Sequence, residues 1–190
     1  LGTQVKAHVE RRFCMPWSHP AARMQEMVEA LRAIWGSWKT GEKLRFEGEF
    51  YRHTLMSPTF SPDMSEMEPP PIYIAGVGPK MTEVAGAVGD GYFVHPFHSA
   101  HSLEQLSRPA LNRGLQSAGR RPGDCVISAQ VITATGHTEE AMQAAEMSAR
   151  HQIAFYASTP AYLPVLQCHG MESLQADANQ MLREGKWDEL

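Results

Sequence analysis

Ala75, Gly76, Val77, Gly78, Pro79 and Lys80 make up the stretch of this 190-residue sequence whose residue types and order best suit an anion. They follow a short apolar, β-rich run, Ile72 to Ala75, and precede a stripe of Met81, Val84, Ala85 and Val88 at helical spacing. A strand that ends in glycines and turns straight into a helix gathers unpaired backbone N–H groups and the positive end of the helix dipole at one point. A phosphate suits that point. The glycines admit close approach and Lys80 adds charge, whereas Pro79 brings no N–H. A plainer reading stays open, because any tight strand-to-helix turn favours glycine, and the stretch matches neither a P-loop nor the full dinucleotide fingerprint.

The second candidate is His95, in the run His95, Pro96, Phe97, His98 directly after the apolar run Tyr92 to Val94. Imidazole titrates near neutral pH, so His95 suits a proton donor, a proton acceptor or a substrate anchor. It equally suits a loop histidine bonded to backbone. The third is the opening stretch from Gly2 to Arg12, whose Thr3, Gln4 and His8 offer hydroxyl, amide and imidazole to a substrate pocket or form a solvated loop. The nine histidines show no HExxH or paired metal spacing, so no metal site is expected. No GxSxG or cysteine nucleophile motif occurs.

The elements that must position these residues are legible in the pattern. Ser18, His19 and Pro20 open a helix over about 19 to 37, with Met24, Met27, Val28, Leu31, Ile34 and Trp35 on one face. Leu44 to Tyr51 reads as a hairpin or short excursion, and five prolines between 56 and 71 require a loop. Strand 72–75, helix 80–88 and strand 92–94 form a compact crossover, expected to be parallel and right-handed. A helix over 102–118, a strand over 126–133 and a Thr138-capped helix over 138–156 continue the alternation. Two helices, 160–170 and 173–184, close the chain.

Composition bounds the rest. With 43% hydrophobic and 20% charged residues, the chain has enough apolar material for a sizeable core. A net charge of −4 without a Lys/Arg cluster argues against nucleic acid or an anionic membrane as partner and leaves a small molecule. No apolar run nears the roughly 18 residues that cross a bilayer, and the first residues show no signal-peptide pattern, so a cytoplasmic protein is expected. Cys14, Cys125 and Cys168 lack paired spacing and read as reduced packing residues.

Taken in order, the Gly2, Thr3, Gln4 turn, the helix ending Leu31 to Trp35, the Phe46 to Tyr51 segment, the proline loop, Ile72 to Lys80 and Gly89, Asp90, Gly91 resemble the bacterial luciferase-like superfamily. The run from Gly2 to Trp17 is similar to its coenzyme F420-dependent oxidoreductase subgroup. The resemblance implies an α/β fold, a (β/α)8 TIM barrel with flavin or deazaflavin at the strand C-terminal ends, usually dimeric. It implies backbone contact between the 75–80 turn and the phosphate-bearing tail, with Gln4 and His95 as pocket candidates.

Only three whole strands and a stub before Thr3 can be counted. The chain, which starts at Leu1 without Met, is therefore expected to be an incomplete barrel lacking N-terminal strands and the last one. It is read as one partial domain, with β/α units over 1–157 and a helical segment over 158–190. The leading expectation is F420-dependent hydride transfer; an FMN-dependent monooxygenase, a non-catalytic flavin-binding barrel and a different phosphate-binding barrel enzyme are the alternatives.

Overall fold

The computed structural model describes residues 1–186 and divides the chain into two compact units. The first comprises Leu1–Phe93 with Ala110–Ile127; the second comprises Val94–Pro109 and the chain from Ser128 onward.

In the first unit, α1 (Lys6–Arg11) and α2 (Pro20–Thr40) precede a two-stranded hairpin of β1 (Phe46–Glu47) and β2 (Arg52–His53). The hairpin is antiparallel, pairing Phe46 with His53 and Glu47 with Arg52. The proline-rich stretch is a loop with one short 3-10 turn at Pro58–Phe60. Then come β3 (Tyr73–Gly76), α3 (Pro79–Val88) and β4 (Gly91–Val94). The chain then enters the second unit for α4 (Ala100–Ser102) and a π-helical turn (Leu103–Ser107); α5 (Arg108–Ser117), which belongs to the first unit from Ala110, leads to β5 (Val126–Ala129), whose last two residues belong to the second.

The sheet order is β3-β4-β5. Asp90 and Gly91 N–H both donate to the Ile72 carbonyl, and Val126 N–H donates to the Asp90 carbonyl. All three strands therefore begin side by side and run the same way, as the compact crossover requires. Leu1 adds a further rung. Its amino group donates to the Tyr73 carbonyl at 2.5 Å and its carbonyl accepts from Ala75 N–H at 2.8 Å. Bonding to residues on either side of Ile74 is the pattern of a parallel bridge.

The core of this unit is built on Met24 and Val28 of α2, Ile72 and Ile74 around β3, Val84 and Ala85 of α3, Tyr92, Leu111 and Leu115. Helices α3 and α5 approach through glycines: a Cβ on Gly86 would strike the Leu111 carbonyl, and one on Gly114 would strike the Glu83 carbonyl. Arg120 holds the end of α3, donating to the carbonyls of Gly86 and Gly89 at 2.8 Å each. Glu26 of α2 accepts from the backbone N–H groups of Glu49, Phe50 and Tyr51 at 3.0, 2.7 and 2.6 Å, and so fixes the hairpin turn.

In the second unit, α6 (Glu139–Ala157) is capped by Thr138, whose hydroxyl accepts from Ala141 N–H at 3.2 Å. A 3-10 turn (Pro160–Tyr162), α7 (Leu163–Gln167) and α8 (Ser173–Arg183) follow. Phe97, Ala157 and Leu166 form a small core with Tyr156, Tyr162 and Val165 packed against it.

Four expectations are corrected. The opening stretch is not all loop, since Lys6–Arg11 is helical; its first turn carries no cap and its residues are largely exposed, so the polar composition concealed it. The strand expected over 126–133 stops at Ala129, because Gln130 to Thr133 find no strand partner and Val131 lies 76% exposed. Helix α2 is capped at His19 in the left-handed region, while the Ser18 hydroxyl accepts from Arg23 instead. Cys14 is exposed rather than packed; Cys125 is buried.

Candidate functional site

The glycine turn stands at the C-terminal end of β3, where α3 begins with Gly78 at the cap and Pro79 in the first turn. Two hydroxyl groups shape it from behind. Tyr92, 1% exposed, donates to the Gly76 carbonyl at 2.9 Å, and Thr82 donates to the Gly78 carbonyl at 3.1 Å. With those carbonyls drawn inward, the N–H groups of Val77, Gly78, Lys80 and Met81 have no acceptor among the described residues. They lie at the positive end of α3.

The backbone at Gly78 is ordinary extended, φ −80, and a Cβ added there would meet nothing within 4 Å. The space beside Gly78 is open. At Gly76 a Cβ would press on the Met81 side chain at 2.6 Å. Ala75, Gly78, Pro79 and Lys80 are exposed, with Gly76 and Val77 half-buried. This arrangement fits an anion such as a phosphate: free donors, a helix N-terminus, a nearby ammonium and room. Tyr92 and Thr82 escaped the sequence reading because a tyrosine in an apolar strand and a threonine within a helix carry no mark of their hydroxyl partners.

The bridge of Leu1 to β3 carries the next residues along the end of that strand. A Cβ on Gly2 would come 3.8 Å from the Ala75 Cβ. Gln4 is held in the left-handed region at φ 59, an uncommon conformation for a residue other than glycine. Thr3 helps line a cavity of about 200 Å³ with Val9, Trp17, Met24, Met27 and Tyr51, whereas Gln4 and His8 are exposed. The structure thus sets the opening turn beside the Ala75–Gly76 end of β3 within one unit.

His95 belongs to the second unit. Its Nδ1 accepts from Phe97 N–H at 3.1 Å and its Nε2 lies 3.0 Å from the Tyr162 hydroxyl. Its ring stacks on Tyr162 at 4.4 Å and meets Tyr156 edge-on at 4.7 Å. Burial, aided by the charge of neighbouring His98, pushes His95 below its ordinary value of 6.5. Burial, then Tyr156, pushes the Tyr162 phenol up. Both tyrosines come from the helical segment after residue 150, and no sequence motif marks them. Beside them, Phe97, Ile132, Ile153, Leu166, Leu174 and Met181 line an apolar cavity of about 780 Å³ within the same unit. Among the described residues no group of three His, Cys, Asp or Glu side chains is placed to hold a metal, and no helix is long and apolar enough to cross a membrane.

The family model for luciferase-like monooxygenases matches residues 1–189. The chain belongs to this family. A Mycobacterium tuberculosis protein, uncharacterized, is 47% identical over the whole chain, which corresponds to 56% of that protein. The F420-dependent glucose-6-phosphate dehydrogenase of Nakamurella multipartita is 35% identical over 53% of the chain and 27% of its own length. Among solved structures, the coenzyme F420-dependent tetrahydromethanopterin reductase of Methanopyrus kandleri superposes with a TM-score of 0.73 at 17% identity, covering 98% of the chain and 55% of that structure. The luciferase-like α/β fold is thereby shared. The chain spans about half the length of the curated relatives it matches, 56% for the Mycobacterium protein.

Proposed function

We propose that this luciferase-like chain is part of a coenzyme F420-dependent oxidoreductase in which residues 75–80 hold the phosphate-bearing tail of the cofactor. The observation that carries the reading is the turn itself: four backbone N–H groups without acceptors among the described residues, at the N-terminus of α3, with open space beside Gly78. Relatives with F420-dependent names support the choice of cofactor. When bound, the deazaflavin accepts or delivers a hydride. The protein's part is to bind and orient. The amides of Val77, Gly78, Lys80 and Met81 receive the anion, Lys80 adds charge, Thr3, Gln4 and His8 are proposed to line the substrate pocket, and His95 is proposed as the catalytic group. The full barrel is read as one (β/α)8 domain of a cytoplasmic homodimer acting on a small organic molecule.

Titrating the intact protein separately with coenzyme F420 and FMN tests this. Micromolar or tighter binding of F420, weakened at least tenfold by Gly78→Phe without loss of fold, is expected. Tight FMN binding with none for F420 overturns the reading in favour of a flavin monooxygenase.

A further inference from the structure

His95 is hydrogen-bonded on both ring nitrogens, and that fixes where its hydrogen lies. Phe97 N–H can only donate, so Nδ1 is an acceptor and carries no hydrogen in the neutral ring. The hydrogen is then on Nε2 and points at the Tyr162 oxygen 3.0 Å away. Tyr162 accepts this bond, and its own O–H hydrogen has no acceptor among the described residues. The ring cannot reverse roles. A hydrogen on Nδ1 would face the Phe97 N–H with two donors and no acceptor.

We infer that Tyr162 is the residue of this cluster that offers a proton-bearing group to a ligand, and that His95 is its positioning residue. The ligand is a small uncharged molecule presenting a carbonyl or hydroxyl oxygen. The surroundings fit that class. Tyr162 is half-buried among Phe97, Tyr156 and His95 rings, which shelter a hydrogen bond from water, and no acidic side chain bonds to the cluster. The phenol is kept protonated by the burial that raises its titration, so the donor persists across neutral pH. The inference rests on His95 being the catalytic group, as proposed above, but not on the identity of the cofactor.

Two measurements on the intact protein decide it. In 15N-histidine-labelled protein at neutral pH, His95 is expected as the neutral Nε2–H tautomer, and it should remain so in Tyr162→Phe, which preserves the stack. In protein labelled at the tyrosine Cζ carbon, titration with cyclohexanone should shift one resonance saturably, and that resonance should be missing from Tyr162→Phe. His95→Gln, which retains a side-chain N–H donor, should weaken the ketone at most threefold, and His95→Phe tenfold or more. A Nδ1–H tautomer, or a ketone response unchanged by Tyr162→Phe in folded protein, overturns the inference. F420 affinity is read separately by absorbance, and its absence from the wild type defeats the cofactor reading alone.

Discussion

The Tyr92 hydroxyl donates to the Gly76 carbonyl at 2.9 Å, so a residue buried in β4 determines which way the peptide groups of the glycine turn face. Removing that hydroxyl leaves the carbonyl short of a partner. Tyr92→Phe should cost about 1–2 kcal/mol in chemical denaturation and weaken F420 binding several-fold in a titration. Unchanged cofactor affinity in the destabilised variant would separate the turn from binding.

Glu26 gathers three backbone donors from the 49–51 turn, and Gly48 leaves room for it, since a Cβ there would meet the carboxylate. Charge-assisted bonds of this kind contribute more than neutral ones. Glu26→Ala is expected to destabilise the chain by about 2–3 kcal/mol and to accelerate amide exchange at Glu49, Phe50 and Tyr51 ahead of the core. Retained protection at those amides would refute it.

The glycine contacts between α3 and α5 predict a steric cost. Gly86→Ala and Gly114→Ala each push a methyl group into a backbone carbonyl, which a helix cannot rotate away. A loss of about 3 kcal/mol or more is expected for either, while Gly123→Ala, whose Cβ meets nothing, should be nearly neutral. Thermal melts of the three variants test the ranking.

His95 predicts a pH dependence. Its folded value lies below the ordinary 6.5, so below that pH the unfolded chain takes up a proton that the folded site resists. The stability it contributes is complete above about pH 6.5 and declines as pH falls from there. Urea midpoints recorded at pH 7.5 and 5.5 should drop for the wild type and drop less for His95→Gln; equal drops would remove His95 as the cause.

How much of this was legible in the sequence depends on how local each signal is. The strand, glycine turn and helix from Ile72 to Val88 were readable because the apolar period changes from strand-like to helical across Gly76 and Gly78. The length of β5 was not readable, because Gln130 to Thr133 have strand composition and only the lack of a neighbouring strand ends the ladder. The turn's candidacy came from its glycines, its place between strand and helix, and Lys80. Its shape comes from Tyr92 and Thr82, residues whose hydroxyl partners lie sixteen and four positions away and cannot be inferred from residue type. His95 was singled out, but its partners Tyr156 and Tyr162 lie more than sixty residues on, beyond the reach of any motif.

The interlocked glycines of α3 and α5 bear on binding as well as on stability. Backbone against backbone at Gly86 and Gly114, with Arg120 clasping the carbonyls at the far end, opposes sliding or rolling of α3. For the anion proposed at this turn, a fixed α3 would mean a preorganised N-terminus, with the dipole and the free amides already aimed at one place. An anion settling there incurs little reorganisation, so its affinity should be governed by desolvation and charge.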